Sequence, residues 1–197
     1  MYKTTFTPLS CYSVMKIRFA CGLLFNCCLL LNSCSAQQKK SPAKIGPTME
    51  MPGKNNPVYS RTDSNRVNLS EEEWKKILPA DVFYIARERG TERPWSSSIE
   101  HSTEVGTYYC KACGNPLFKS DTKFESGCGW PSFFDPIKKG SLLYLRDRSH
   151  GMDRTEVQCG RCKAHLGHVF EDGPPPTGLR YCINGVILDF EKSSPKK

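Results

Sequence analysis

Two short units, Cys110-Lys111-Ala112-Cys113 and Cys159-Gly160-Arg161-Cys162, constrain this chain more than any other feature. Each follows a run with strand character, and each has a glycine close by, Gly114 and Gly160. A tight turn of this kind presents two thiolates to one centre, and two such turns complete a tetrahedron. The 45 residues between Cys113 and Cys159 exceed the spacing of a small zinc finger, so the metal is expected to clamp distant parts of a sheet. Four thiolates leave no open coordination position, which makes the expected zinc structural. Two disulfides, or a thioredoxin-like redox Cys-x-x-Cys, are the competing uses of these residues. Paired, symmetric units after strands favour the metal over a lone redox motif ahead of a helix.

Around these units the sequence reads as a mainly β domain with short N-terminal helices. Ser70 caps a helix and Glu73 completes a capping box, with Trp74, Ile77 and Leu78 on one face. Pro79 starts a second helical stretch carrying Val82, Phe83 and Ile85, which stops near Gly90. From Gly106 onward, β-branched and aromatic runs alternate with Gly, Pro, Asp and Ser. The expected strands are Thr107–Cys110, Leu142–Arg146, Thr155–Gln158, His168–Phe170 and Leu179–Phe190, in a mostly antiparallel arrangement.

The N-terminal part reads as an address. Lys16 and Arg18 precede an apolar run from Phe19 to Leu31, too short to span a bilayer but of signal-peptide length. It ends in Leu31-Asn32-Ser33-Cys34, which resembles the lipobox of bacterial lipoproteins and implies lipidation of Cys34. Met15 is an alternative start, and ordinary cleavage near Ala36 is the plainer use of the same segment. Residues 35–68, with Pro42, Pro47, Pro52 and Pro57 among polar residues, read as a disordered tether. The expected layout is a signal segment over 1–34, the tether, a folded domain over 69–191 and a disordered tail over 192–197. The protein is then exported, membrane-anchored through lipid and facing the periplasm or cell exterior. The formal charge is +8, and Lys3, Lys16 and Arg18 supply three of these before Cys34. The remainder is spread out, so no nucleic-acid partner is expected. A monomer is expected.

Eleven cysteines include two in the second half that belong to no pair, Cys128 and Cys182. Within Leu179–Val186, period-two alternation puts Leu179, Tyr181 and Ile183 on one face and Arg180, Cys182 and Asn184 on the other. Arg180 is expected to lower the thiol pKa and make Cys182 a nucleophile; a buried cysteine on an amphipathic strand is the plainer alternative. Cys128 lies between Gly127 and Gly129, beside Trp130, in a loop read as mobile or tight; a flexible cysteine there can approach a second thiol, and a buried cysteine in an aromatic-rich turn is the plainer alternative. His165 and His168 follow the second Cys-x-x-Cys; their spacing of three suits neither a strand face nor a compact metal pair. They read as loop histidines unless the knuckle aims them at Cys182 as acids.

Taken together, these motifs resemble the methionine-R-sulfoxide reductase family. The likeness covers about residues 69–190 and is carried by Gly90–Pro94, by Gly106–Phe133 with its Gly-Cys-Gly-Trp-Pro-Ser-Phe run, by Arg148–Met152 and by Arg154–Asn184. The resemblance implies two antiparallel sheets in a barrel-like arrangement. It implies thiol-dependent reduction of the R epimer of methionine sulfoxide, free or in proteins, as repair of oxidative damage. Cys182 is then the nucleophile that becomes a sulfenic acid, and Cys128 the resolving thiol that closes a disulfide, recycled by a thioredoxin-like donor. Trp130 corresponds to the wall for the substrate S-methyl group. His165 and His168 correspond to the pair that holds and protonates the sulfoxide oxygen. Asn184, Arg180 and Asp172 correspond to orienting groups, and Cys110, Cys113, Cys159 and Cys162 to zinc ligands. The chain departs from the family at Gly185, where serine is usual, at Trp95, where a smaller aromatic is common, and at Phe134, where tryptophan is. A non-catalytic zinc-ribbon-like binding module and a dithiol oxidoreductase for exported proteins are the rival functions. The first leaves Cys128 and Cys182 idle, and the second requires a metal-free Cys-x-x-Cys.

Overall fold

A computed structural model describes residues 56–194 of the 197-residue chain. The signal segment, Cys34 and the tether up to residue 55 lie outside the described residues. Among the described residues, no helix is long and apolar enough to cross a membrane.

Helix α1 (Glu71–Ile77) starts with the expected capping box. Ser70 Oγ accepts from Glu73 N at 3.2 Å while the Glu73 carboxylate accepts from Ser70 N at 2.8 Å. Helix α2 (Ala80–Ala86) follows Pro79 directly, whose fixed φ suits a helix start. Trp74, Val82 and Ile85 are buried, so both helices serve as packing elements. Arg87 ties them together, with its guanidinium over the Trp74 ring and bonded to Glu71 at 2.6 Å.

The rest is β structure in two antiparallel sheets. The smaller has the order β2-β1-β9, from Pro116–Lys119, Gly106–Cys110 and Leu188–Lys192. The larger has the order β3-β4-β8-β7-β6-β5. Its strands are β3 (Lys123–Phe124), β4 (Ser132–Phe133), β8 (Arg180–Ile183), β7 (His165–Phe170), β6 (Arg154–Cys159) and β5 (Leu142–Asp147). The sheets do not close into a barrel. Aromatic rings fill the space between them: Phe118 of β2 stacks on Phe133 of β4 at 4.3 Å, and Tyr108 of β1 meets Phe133 edge-on at 5.0 Å.

Two boundaries differ from the sequence reading. The single strand expected over Leu179–Phe190 is two strands in different sheets, separated by a 3₁₀ turn at Gly185–Ile187. The break has a specific cause. The Glu92 carboxylate accepts from Gly185 N at 2.5 Å and from Val186 N at 2.9 Å, withdrawing both amides from any ladder. A Cβ at Gly185 would lie 2.0 Å from Ser97 Oγ, so the backbone passes where no side chain fits. The second difference is at the tether. Residues 56–68 are fixed on the domain, with Ser60 N bonded to Cys113 O at 3.0 Å and Val67 N to Arg161 O at 3.0 Å. Order therefore starts ahead of residue 69. At the other end, Lys192 belongs to β9 and Ser193 N bonds Val105 O at 2.9 Å, so the expected tail starts later than 192.

Candidate active site and metal centre

The two Cys-x-x-Cys units sit where β1 and β6 end, and they fold alike. In the first, Gly114 N bonds Cys110 O at 2.7 Å and Cys110 N bonds Asn115 O at 2.8 Å. In the second, Lys163 N bonds Cys159 O at 2.9 Å and Cys159 N bonds Ala164 O at 2.9 Å. The residue after each second cysteine is left-handed, Gly114 at φ 80° and Lys163 at φ 60°. Lys163, not Gly160, is thus the counterpart of Gly114. Gly160 is needed for another reason, because a Cβ there would lie 2.1 Å from Gly140 O.

All four sulfurs are buried and lie within 4.8 Å of one another. Across the units, Cys110 Sγ is 3.8 Å from Cys162 Sγ, and Cys113 Sγ is 3.7 Å from Cys159 Sγ. A zinc ion with Zn–S bonds of about 2.3 Å has tetrahedron edges of about 3.8 Å. A disulfide needs about 2.05 Å. The four thiols therefore fit a structural zinc. Asn115 Nδ2 approaches Cys159 Sγ at 3.5 Å, the kind of outer hydrogen bond that orients a thiolate ligand.

The second group of functional side chains is one row across the larger sheet. Glu156 of β6 pairs with His168 of β7, His168 with Cys182 of β8, and Cys182 with Ser132 of β4. Directly opposed residues of antiparallel strands share a face, so these four side chains are neighbours. His165, three residues before His168, should face the other way. A β-bulge removes the conflict: Val157 pairs with Gly167 but Gln158 pairs with His165, leaving Leu166 as the extra residue. The rings of His165 and His168 meet edge-on at 5.5 Å. The bulge also frees the Leu166 carbonyl, which accepts both the backbone N–H and the side-chain amide of Asn184 at 2.9 Å.

A cleft of about 130 Å³ opens on this row, lined by Cys182, His168, Asn184, Arg154, Thr91, Gly167 and the rings of Trp130 and Phe170. Trp130 Nε1 donates to Glu92 O at 3.2 Å, and Glu92 N donates to Asn184 Oδ1 at 3.0 Å. One residue, Glu92, thus holds the tryptophan wall, the asparagine and the turn after β8. Its carboxylate is pushed up by burial and held back by the two amides it accepts.

Of the residues singled out from sequence, Cys128, Trp130, His168, Cys182 and Asn184 come together here. Cys128 Sγ lies 3.5 Å from Cys182 Sγ. Its loop is pinned rather than mobile: Ser126 Oγ donates to Cys128 Sγ at 3.0 Å, and Gly129 O accepts from Trp95 N at 2.7 Å. His165 is buried behind the cleft, with Nδ1 on Glu156 at 2.8 Å. Asp172 is at the surface, and Arg180 is turned toward it, bonded at 2.8 Å, with its guanidinium 4.4 Å from the Phe170 ring centre. That pair braces the Phe170 wall of the cleft.

Arg180 consequently does not make Cys182 acidic. Burial, followed by the neighbouring Cys128, pushes the Cys182 thiol up to about 12, and the more distant Arg180 only partly opposes this. Burial is the largest influence on Cys128 and raises it, but its hydrogen-bond neighbours, led by the hydroxyls of Ser126 and Ser132, together bring that thiol below the ordinary value. The surroundings of the pair thus favour the thiolate at Cys128, the better hydrogen-bonded sulfur, over that at Cys182.

Three carboxylates escaped the sequence reading: Glu92, whose partners Gly185 and Val186 are far along the chain, and Asp147 and Glu156, which meet their histidines only through strand pairing. Asp147 accepts from His168 Nε2 at 2.8 Å, from Arg154 at 2.6 Å and from Ser149 N at 2.9 Å. The hydrogen bonds with Ser149 lead in holding this carboxyl well below the usual carboxylate range. Burial lowers His168 from its ordinary value and Asp147 opposes the shift. The signal available in the sequence was the Asp147-x-Ser149 spacing of an Asx-type turn. Arg154 Nε is buried and, among the described residues, has no hydrogen-bond partner.

A buried cluster of four thiols that fits a metal, together with a separate open cleft holding two thiols, defines a thiol oxidoreductase architecture. A profile of the SelR domain matches residues 78–192, and the chain belongs to that family. It is 56% identical over 128 residues to a peptide methionine sulfoxide reductase MsrB of Agrobacterium fabrum, covering 65% of this chain and 95% of that one. Likewise named proteins of Pseudomonas putida and Methanosarcina barkeri are each 54% identical, over 126 and 131 residues. These cover 64% and 66% of this chain and 95% and 92% of the relatives.

Proposed function

We propose that this chain is a peptide-methionine (R)-S-oxide reductase that works through Cys182 and Cys128. The observation that carries the reading is the pair of thiols 3.5 Å apart, at the mouth of a cleft walled by Trp130 and offering His168. The substrate S-methyl group packs on Trp130 and Phe170, and the sulfoxide oxygen turns toward His168. Cys182 sulfur attacks the sulfoxide sulfur as its own proton leaves and His168 donates one to the oxygen. The oxygen then passes from the methionine sulfur to the Cys182 sulfur as the S–S bond between them breaks, so methionine departs with its lone pair restored and Cys182 is left as a sulfenic acid. Cys128 thiolate then attacks Cys182 sulfur, forming the S–S bond and expelling hydroxide, which leaves as water. Two thiols are oxidised for each sulfoxide reduced, and an external dithiol of thioredoxin type restores them.

Cys110, Cys113, Cys159 and Cys162 hold the zinc in this reading. The ion supplies a fixed crosslink between the ends of β1 and β6, and it takes no part in the redox steps. His165, Arg180, Asp172 and Asn184 act as positioning residues. The chain is further read as an exported monomer, anchored through lipid on Cys34 by a tether. Labelling with a fatty acid, lost in Cys34→Ser, checks that part.

The test of the reaction is turnover of each pure epimer of a methionine sulfoxide peptide with dithiothreitol. Methionine from the R epimer alone is expected. No product from either epimer, with both thiols reduced and zinc bound, would sink the proposal.

A further inference from the structure

The metal centre is covered by a segment that precedes the SelR match at residue 78. Residues 56–68 run across both knuckles and bond to each. On the first, Asn56 Nδ2 donates to Ala112 O at 2.9 Å and Ser60 N to Cys113 O at 3.0 Å. On the second, Val67 N donates to Arg161 O at 3.0 Å. Between them, Arg161 is only 5% exposed although it carries a charge. Its guanidinium donates to Asn65 O at 2.9 Å, to Ser60 O at 3.1 Å and to Cys113 O, and it pairs with Asp63 at 2.7 Å. Arg161 belongs to the second knuckle, Cys113 to the first and the other three partners to the segment. One side chain thus joins all three parts.

The fit is close. Gly114 carries no side chain where Ser60 passes, and a Cβ there would lie 2.6 Å from Ser60 O. The segment is also anchored away from the knuckles. Arg61 bonds Asp189 of β9 at 2.7 Å and Glu191 at 2.6 Å, and Tyr59 donates to Asp189. Arg87, just after α2, donates to Cys162 O at 3.1 Å.

We propose that residues 56–68 lock the metal centre and set how fast zinc leaves it. The inference rests on reading the four cysteines as zinc ligands. A Cys-x-x-Cys turn releases metal only when it opens far enough for a thiolate to swing away and take a proton. Opening the first turn strains the bonds from Asn56 and Ser60, and opening the second strains those from Val67. Arg161 makes either motion break contacts to the other. Partners outside the ligand shell commonly change metal affinity by about 10–100-fold, and here they are supplied by a segment upstream of the matched domain.

The experiment uses the full chain purified with zinc, mixed with excess chromogenic chelator, and reads the rate of metal release. The variants are Arg161→Gln and the milder pair Asn56→Ala with Asp63→Asn. Val82→Ala, in the buried face of α2, serves as a comparison that destabilises the domain elsewhere. Release faster by about tenfold or more in both lock variants, with Val82→Ala close to the parent at matched melting temperature, is the expected result. Release that simply follows melting temperature in all variants would overturn the lock, as would unchanged rates or a chain that binds no zinc. Epimer turnover is measured separately, so loss of the lock and loss of the reductase reading are told apart.

Discussion

The metal corner and the cleft use the same side chain for opposite purposes. In the corner, four cysteines are buried by two similar turns, and their sulfurs lie within 4.8 Å of one another, as the vertices of a metal tetrahedron must. In the cleft, two cysteines come from unlike segments, a glycine-flanked loop and a strand, and each keeps some contact with solvent. The first arrangement suits sulfur that must never react. The second suits sulfur that must be reached, oxidised and reached again. The difference lies in what surrounds each thiol, and it can be probed one side at a time.

Removing zinc should have the largest effect. Stripped protein is expected to lose its cooperative melting transition, because metal binding and folding are linked. An unchanged melting curve after verified removal would erase the contrast. On the cleft side, Cys182→Ser should abolish methionine formation from the R epimer while leaving melting and zinc content intact, and retained turnover would reassign the nucleophile. Cys128→Ser should leave one turnover per chain in a rapid-quench assay and no recycling by a thioredoxin-like donor. The same change removes a neighbour that raises Cys182, so the midpoint for Cys182 alkylation should move to lower pH. A midpoint that stayed or rose would refute the charge placement on Cys128.

Asp147→Asn should cost on the order of 10²-fold in kcat, the scale of a weakened general acid. His168 is faced by Asp147 from β5, Arg154 and Glu156 from β6, His165 from its own strand and Cys182 from β8. Asp147 favours the protonated ring, so its removal lowers the histidine further. The limb of the pH profile that falls as pH rises should then move to lower pH, and a lower rate without that movement would mean a merely structural effect. The smallest effect concerns the turn after β8. Gly185→Ser should destabilise by about 1–3 kcal/mol through crowding, and Ser97→Gly should recover most of it. Denaturant melts of the single and double variants would decide.

Much of this was legible from residue spacing. The capping box at Ser70 and Glu73, the paired knuckles and the alternation of Tyr181 and Ile183 against Cys182 are local patterns, and local patterns survive folding. What escaped depended on register. Nothing near His165 announces that Leu166 bulges, yet that extra residue alone puts both histidines on the cysteine face. The break after Asn184 is imposed by Glu92, far upstream. Arg180 looked like an activator of Cys182 because charge is visible in sequence and burial is not; Asp172 claims the guanidinium, and desolvation decides the thiol. The tether was read from composition, which does not register that Asn56, Ser60 and Val67 have backbone and amide partners waiting on the knuckles.

The row from Glu156 through His168 and Cys182 to Ser132 runs at right angles to the chain, each member from a different strand. No stretch of sequence, synthesised or refolded alone, contains the site. Such non-local pairings form late and slowly relative to helices, so catalytic competence should appear only when β4, β6, β7 and β8 have all joined. Recovery of turnover during refolding therefore times the completion of the sheet, and a chain that has gathered its metal corner but not yet zipped the fourth strand is silent.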